Sequence, residues 1–295
     1  MTEPLVIGPL VIGVDLGGTQ LRLAAVSPSG ELVTEVFVAT TSVNITTDDL
    51  TLELQRMWSQ VLATLPNQNQ TIRACGVGIT GVVRQQRLAA SDFLPHLVAH
   101  DLPALFSKAL GNLPVKIEND ARCFLLAEAR FGAGRGARNA CGITLGTGAG
   151  GAVMVNGELI TGTNAEAGEV WRIPCRDSFL EYFVSGAGLV RGYQAAGGVA
   201  NETITAADVA TRARAGEHAA LQAWESYGND VFALCETMIA LLEPEVIILG
   251  GSMAQAHDLF GAQFKEKLGR RATRIALAEL DAAAGLIGAA ALHFG

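Results

Sequence analysis

Two stretches of the chain repeat one alternation of apolar and turn-forming residues. The first runs Ile12-Gly13-Val14-Asp15-Leu16-Gly17-Gly18-Thr19, stays apolar from Leu23 to Val26 and closes on Ser29-Gly30-Glu31-Leu32. The second runs Cys141-Gly142-Ile143-Thr144-Leu145-Gly146-Thr147-Gly148, stays apolar from Val153 to Val155 and closes on Asn156-Gly157-Glu158-Leu159. Each predicts a buried strand, a glycine turn, a second strand and a hairpin exit. In the first copy the strands fall on Leu10–Val14 and Gln20–Val26, with a third over Glu31–Ala39. Apolar runs predict further strands over Arg73–Ile79, Val115–Glu118 and Val246–Leu249, the last opening into Gly250-Gly251-Ser252.

Helical spacing marks the remaining elements. Leu50, Leu54, Met57, Trp58, Val61, Leu62 and Leu65 share one face, behind a Thr46 or Thr47 cap with Asp48 and Asp49 in the first turn. Good helix formers occupy Ala121–Phe131 just after Asn119-Asp120, and helices are expected over Ala206–Ala215 and Glu217–Leu242, the latter ended by Pro244. A small, apolar helix over Gly285–Leu292 suits close packing at the junction between domains. Thr161–Ser185 has no period and mixes charged and aromatic residues, as a binding loop does.

The doubled pattern in a chain of 295 residues predicts a duplicated α/β protein of two domains, and 49% hydrophobic residues give each half material for a core. A flexible basic connection, Gly132 to Arg138, lies near the boundary; the smaller domain is drawn over 1–118 and the larger over 119–284, with the helix at about 285–295 packing back on the first. A net charge of −8 argues against nucleic acid as a partner. No apolar run approaches the roughly 18 residues of a membrane helix, and the N-terminus lacks the marks of a signal peptide, so a cytoplasmic protein is expected. The five cysteines are scattered without a C-x-x-C, as reduced, mostly buried residues.

Glycine turns let backbone N–H groups close on an anion, and Asp15, Thr19 and Thr147 are side chains suited to metal and phosphate. Simple hairpin closure accounts poorly for Gly146-Thr147-Gly148-Ala149-Gly150-Gly151, where four of six residues are glycine. Neither a Walker A sequence nor a dinucleotide fingerprint is present. Asp120, at the end of a strand and the start of a helix, reads equally as a carboxylate base for a hydroxyl attacking a phosphate and as a helix cap.

Taken together, Asp15-Leu16-Gly17-Gly18-Thr19, Gly76-Val77-Gly78-Ile79-Thr80-Gly81, Glu118-Asn119-Asp120-Ala121, Leu145 to Gly151, Gly168-Glu169 and Leu249-Gly250-Gly251 resemble the ROK family of sugar kinases, within the actin/hexokinase/Hsp70 superfamily. The resemblance spans nearly the whole chain. It implies two actin-like (ribonuclease H-like) domains with a cleft between them. It also implies transfer of the ATP γ-phosphate to a hexose hydroxyl, foremost the 6-hydroxyl of glucose, with N-acetylmannosamine, fructose or allose kinases, or a non-catalytic sugar sensor, as alternatives. By resemblance, Asp120 is the base; Asn119, Glu169 and Glu181 hold sugar hydroxyls, and Asp92 stands where relatives often have Asn. Gly17, Gly18, Thr19, Gly146, Thr147 and Gly148 hold ATP phosphates, Gly250 and Gly251 the adenosine, and Asp15 reaches Mg²⁺ through water, with no residue assigned as a direct metal ligand. A homodimer is the oligomeric expectation.

The chain also departs from the family. Zinc-containing members follow Gly-Glu-x-Gly-His with a cysteine cluster; here Trp171-Arg172 follows Gly168-Glu169-Val170 and only Cys175 precedes Glu181, too few ligands for a structural zinc. Arg172 either takes over contact with an oxygen-rich or carboxylated sugar or pairs with Glu166 or Asp177. About ten residues before the first strand leave no room for the helix-turn-helix of repressor relatives.

Overall fold

The computed structural model describes residues 8–66, 71–199, 203–269 and 271–294. They divide into two compact units. The first holds the residues up to Arg135, Thr161–Glu166 and the chain from Ala282 onwards; the second holds Gly136–Ile160 and Ala167–Asp281.

Unit one opens with β1 (Leu10–Leu16), β2 (Gln20–Val26), β3 (Phe37–Thr40) and α1 (Thr47–Thr64). After β4 (Ile72–Ile79) come a small hairpin, β5 (Val82–Arg84) and β6 (Arg87–Ala90), then α2 (Leu102–Ala109), β7 (Val115–Asn119) and α3 (Asp120–Phe131). Unit two contains β8 (Ala140–Leu145), β9 (Ala149–Val155), β10 (Glu158–Leu159), β11 (Pro174–Cys175) and β12 (Ser178–Phe179). Its helices are α4 (Glu181–Val184), α5 (Gly186–Ala195), α6 (Ala206–Arg214) and α7 (His218–Leu242), followed by β13 (Val246–Gly250), α8 (His257–Phe260), α9 (Ala262–Leu268) and β14 (Arg274–Leu277). The chain then returns to unit one as α10 (Ala284–Ala291).

The sequence repeat is realised as a repeat of topology. The sheets run β3-β2-β1-β4-β7 and β10-β9-β8-β13-β14, each an antiparallel three-strand meander extended by two parallel strands. Central strands read as continuous apolar runs because helices or loops cover both faces; every residue of β1 except Asp15 is buried.

Helix α10 packs against β1, β4 and α3. Its backbone lies so close to the sheet that a Cβ on Gly76 would fall 1.7 Å from the Ala289 carbonyl oxygen, and one on Gly13 2.1 Å from that of Leu286. Because α3 and α10 both pack on the first sheet, the first unit continues to Arg135, past the boundary drawn at 118 and into the glycine-rich connection.

Two local expectations are corrected, and one helix, α5, was not foreseen. The third strand is only Phe37–Thr40: after one bridge from Val26 to Leu32, the Thr34 hydroxyl accepts the Ala25 N–H and diverts the chain from the sheet. The stretch Thr161–Ser185 is less irregular than its composition, holding the β11–β12 hairpin and α4. Arg176 takes a left-handed φ of 53° in that hairpin. Helix α5 was hidden by Gly186, Gly188 and Gly192, and it is fixed by the Ser185 cap accepting the Gly188 N–H. All five cysteines are free; four are buried and Cys175 is half-buried.

Candidate active site

In unit one, β4 and β7 run parallel and end side by side, Ile79 opposite Asn119. Their next residues meet. The Thr80 hydroxyl donates to Oδ2 of Asp120 at 2.7 Å, and the Ala121 N–H donates to Oδ1 at 2.9 Å. The cap of α3 is Asn119, whose Oδ1 accepts the Arg122 N–H at 3.1 Å; Asp120 is the first helical residue. The cap reading of Asp120 is therefore corrected: its half-buried carboxylate is not needed to cap the helix. Burial raises its pKa above the ordinary carboxylate value, partly offset by the bonds from Thr80 and Ala121, which favour the charged form.

Asp15 lies near Asp120 at the end of β1. Burial raises its pKa to about 6; the negative Asp120 adds to the rise, and Arg22, its direct cross-strand neighbour at 3.8 Å, opposes it. A Cβ on Gly285, at the start of α10, would sit 2.9 Å from the Asp15 carboxylate, so α10 approaches this side chain closely. Two nearby carboxylates, of which the charge on Asp120 disfavours that on Asp15, beside a glycine turn, are a donor set that suits a divalent cation.

The first glycine turn is closed by the Gly17 N–H donating to the Gln20 carbonyl, with Thr19 exposed. Gly18 has no room for a side chain, since a Cβ would come 2.9 Å from Cβ of Phe93. Asp92 is exposed between Phe93 and Ser91, and Ser91 donates to the Thr80 carbonyl, so its neighbours tie it to the Thr80 turn. Asn119 is buried; besides capping α3 it donates from Nδ2 to the Gly81 carbonyl. Both ends of its amide thus serve the local fold.

In unit two the parallel pairing of β8 with β13 sets Gly250 opposite Thr144 and joins the two remaining glycine turns. The Gly186 N–H donates to the Gly146 carbonyl and the Met253 N–H to the Leu145 carbonyl. Gly251 has a φ of +83°, and a Cβ there would meet the Leu145 carbonyl oxygen at 2.3 Å. Gly146, Gly148, Gly250 and Gly251 therefore belong to one cradle, with Thr147 exposed at its rim.

Glu181 starts α4 and accepts the Ala149 N–H at 2.9 Å. A Cβ on Gly148 would lie 2.5 Å from its Oε2, so this carboxylate rests directly on the glycine turn. The Glu169 loop reaches the same strand, because Gly168 packs on Ala152 and a Cβ on Gly151 would meet the Gly168 carbonyl oxygen at 2.4 Å. Trp171 donates from Nε1 to Oε2 of Glu169 at 2.6 Å, and the exposed Arg172 stands over the Trp171 ring, 5.3 Å from its centroid. Among the described residues, no three His, Cys, Asp or Glu side chains group as metal ligands.

The sequence marks Thr80-Gly81 as a turn on the ligand side but not the bond from Thr80 to Asp120, and it gives no role to Arg22 or Gly285. Thr80 was signalled by a strand running into Thr-Gly, and Arg22 by hairpin register opposite Asp15; Gly285 depends on the docking of α10 and carried no local signal.

Two sheets of one topology, each ending in glycine turns, with a carboxylate at the first position of a helix, are the marks of an actin-like sugar kinase fold. The chain belongs to the ROK family, whose pattern it matches over residues 11–294. N-acetylgalactosamine kinase AgaK of Shewanella sp. (strain ANA-3) is 29% identical over 326 aligned positions, covering 96% of each protein. A glucokinase of Streptomyces coelicolor is 28% identical over 321 positions, covering 96% of this chain and 97% of its own. The crystal structure of a ROK family glucokinase from Streptomyces griseus in complex with glucose and AMPPNP is similar at a TM-score of 0.78 and 25% identity, covering 96% of this chain and 98% of that one. No helix among the described residues is long and apolar enough to cross a membrane.

Proposed function

We propose that this protein is an ATP-dependent hexokinase that transfers the γ-phosphate of ATP to a sugar hydroxyl, with the 6-hydroxyl of glucose as the first substrate to test. The reading is carried by the Thr80–Asp120 contact at 2.7 Å, which points a carboxylate of raised proton affinity without using it as a helix cap. In the reaction, Asp120 accepts the hydroxyl proton as the new O–P bond forms, while the bond to the leaving ADP breaks. Thr80 holds the carboxylate in its accepting orientation.

In unit two the cradle around Gly146 and Gly251 would offer backbone N–H groups to ATP phosphates and adenosine; in unit one, taken by itself, the Gly17-Gly18 turn is likewise suited to phosphate. Asp15 would hold Mg²⁺ through water, and the ion supplies neutralisation of the phosphate charge. Taken by itself, unit two offers Glu169 and Glu181 to sugar hydroxyls; unit one offers Asp92, while the Asn119 amide is already engaged by the Arg122 N–H and the Gly81 carbonyl.

A second reading, an N-acetylhexosamine kinase, is favoured by the 29% identity to the N-acetylgalactosamine kinase. ADP release measured over glucose, N-acetylmannosamine, N-acetylgalactosamine, fructose and allose separates them. A folded protein that binds ATP and sugar yet releases no ADP with any sugar would be a sensor, and the kinase reading would fail.

A further inference from the structure

In unit one, a large aromatic side chain beyond the ends of β1 and β4 is left half in solvent. Phe93 is 52% exposed, whereas Leu94 and Leu97 of the same loop are wholly buried in the core of the unit. The loop is therefore anchored without Phe93. A single exposed apolar residue is ordinary on a protein surface, but this one stands on a glycine turn. A Cβ on Gly18 would come 2.9 Å from Cβ of Phe93 and 3.2 Å from its Cδ1, so one edge of the ring lies against that turn and the rest stays open.

The loop that carries the ring is also held in place. Ser91 Oγ accepts the Leu94 N–H at 3.1 Å and donates to the Thr80 carbonyl at 2.8 Å, and Thr80 is the residue that holds Asp120. Packing adds to this, since a Cβ on Gly81 would meet Cβ of Ser91 at 2.9 Å. Phe93 follows the exposed Asp92 directly, and hydrogen bonds and packing tie their loop to the turns at Gly18 and Thr80. A ring already fixed in this way loses little further freedom when a ligand settles on it.

A sugar ring carries hydroxyls around its rim and C–H groups on its faces. Carboxylates such as Asp92 and Asp120 answer the hydroxyls but not the C–H groups, which suit the negative π-face of an aromatic ring. We propose, on the reading above that unit one offers Asp92 and Asp120 to a sugar, that Phe93 is a specificity-determining residue whose ring is the platform for the C–H face of a pyranose.

Calorimetric titration of the full chain with glucose, N-acetylmannosamine and N-acetylgalactosamine, and separately with MgADP, tests this without turnover. Phe93→Ala should weaken binding of the pyranose that the wild type takes up by about tenfold, the worth of roughly 60 Å² of apolar contact, and leave MgADP affinity unchanged. Phe93→Tyr keeps the ring and should bind like the wild type, while Phe93→Leu keeps apolar bulk without a flat ring and should fall between. All three variants should fold with a Tm close to that of the wild type, because the side chain lies outside the core. The proposal is overturned by a wild type that binds none of the three sugars, by a Phe93→Ala protein that binds sugar as tightly as wild type, by MgADP affinity falling as far as sugar affinity, or by Phe93→Tyr binding no better than Phe93→Ala. A protein that binds sugar through Phe93 yet releases no ADP upholds this role and ends the kinase reading, so the two fail separately.

Discussion

The Thr80 hydroxyl and the Asp120 carboxylate, 2.7 Å apart, join the ends of two parallel strands that are forty positions apart in the chain. This contact both orients the carboxylate and favours its charged form, whereas burial disfavours that form. The balance gives a carboxylate whose proton affinity exceeds that of an ordinary aspartate.

Asp120→Asn keeps the shape but cannot take the proton. Because Asn119 caps α3, the variant should fold normally. The expected loss in kcat is at least about 10²-fold, the lower end for general-base assistance, with little change in ATP affinity. A folded variant with near-normal kcat would move the search for the base to Asp15 or Asp92.

Thr80→Val removes the donor while keeping the volume. Loss of this bond should raise the Asp120 pKa further, since the bond favours the carboxylate form. The acid limb of the kcat–pH profile should therefore move to higher pH, with kcat near neutrality down by roughly tenfold, about one hydrogen bond to a charged group. An unmoved limb would show that Thr80 is only structural.

Asp15 has a raised pKa of about 6 against an ordinary 3.8. Between those values the folded protein binds more protons than the unfolded chain, so stability falls as pH rises through this window and the whole penalty is present above it. Asp15→Asn should therefore stabilise the ligand-free protein at pH 7.5 by about 1–3 kcal/mol, the size of a two-unit shift, and give no such gain at pH 4. Equal Tm differences at the two pH values would contradict the assignment. The same substitution should weaken dependence on Mg²⁺ and reduce activity, a trade of function for stability.

The Trp171 indole donates to Glu169 at 2.6 Å, in a segment where zinc-binding relatives carry a different motif. Glu169→Gln should raise the sugar KM about tenfold to a hundredfold, by loss of a charge-assisted hydrogen bond, and leave the ATP KM almost unchanged. Trp171→Phe should raise the sugar KM by a smaller factor, since it frees the carboxylate without removing it. A rise in the ATP KM instead would place this loop on the nucleotide.

Elemental analysis of the purified protein should find no stoichiometric zinc, and a zinc-selective chelator should leave activity intact in excess Mg²⁺. One tightly held zinc per chain would contradict this expectation.

Local chemistry was enough to predict much of the fold. Alternation and glycine placement located both hairpins, the Thr46 cap and its apolar stripe located α1, and the strand-to-helix step drew attention to Asp120. These signals are legible because they depend on neighbours within a few residues. Helix α5, rich in glycine, lacked the periodic signal, and its Ser185 cap became evident only in the structure.

Tertiary structure decided what each carboxylate does. Asp120 is held by Thr80 rather than capping its helix, Glu181 rests on the Ala149 amide, Glu169 is bound by Trp171, and Asp15 faces Arg22 and Asp120. Except for Trp171 with Glu169, these partners are brought together by strand register or by packing between segments distant in sequence. Their proton affinities depend on burial and nearby charge, and those exist only once the sheets and helices have assembled.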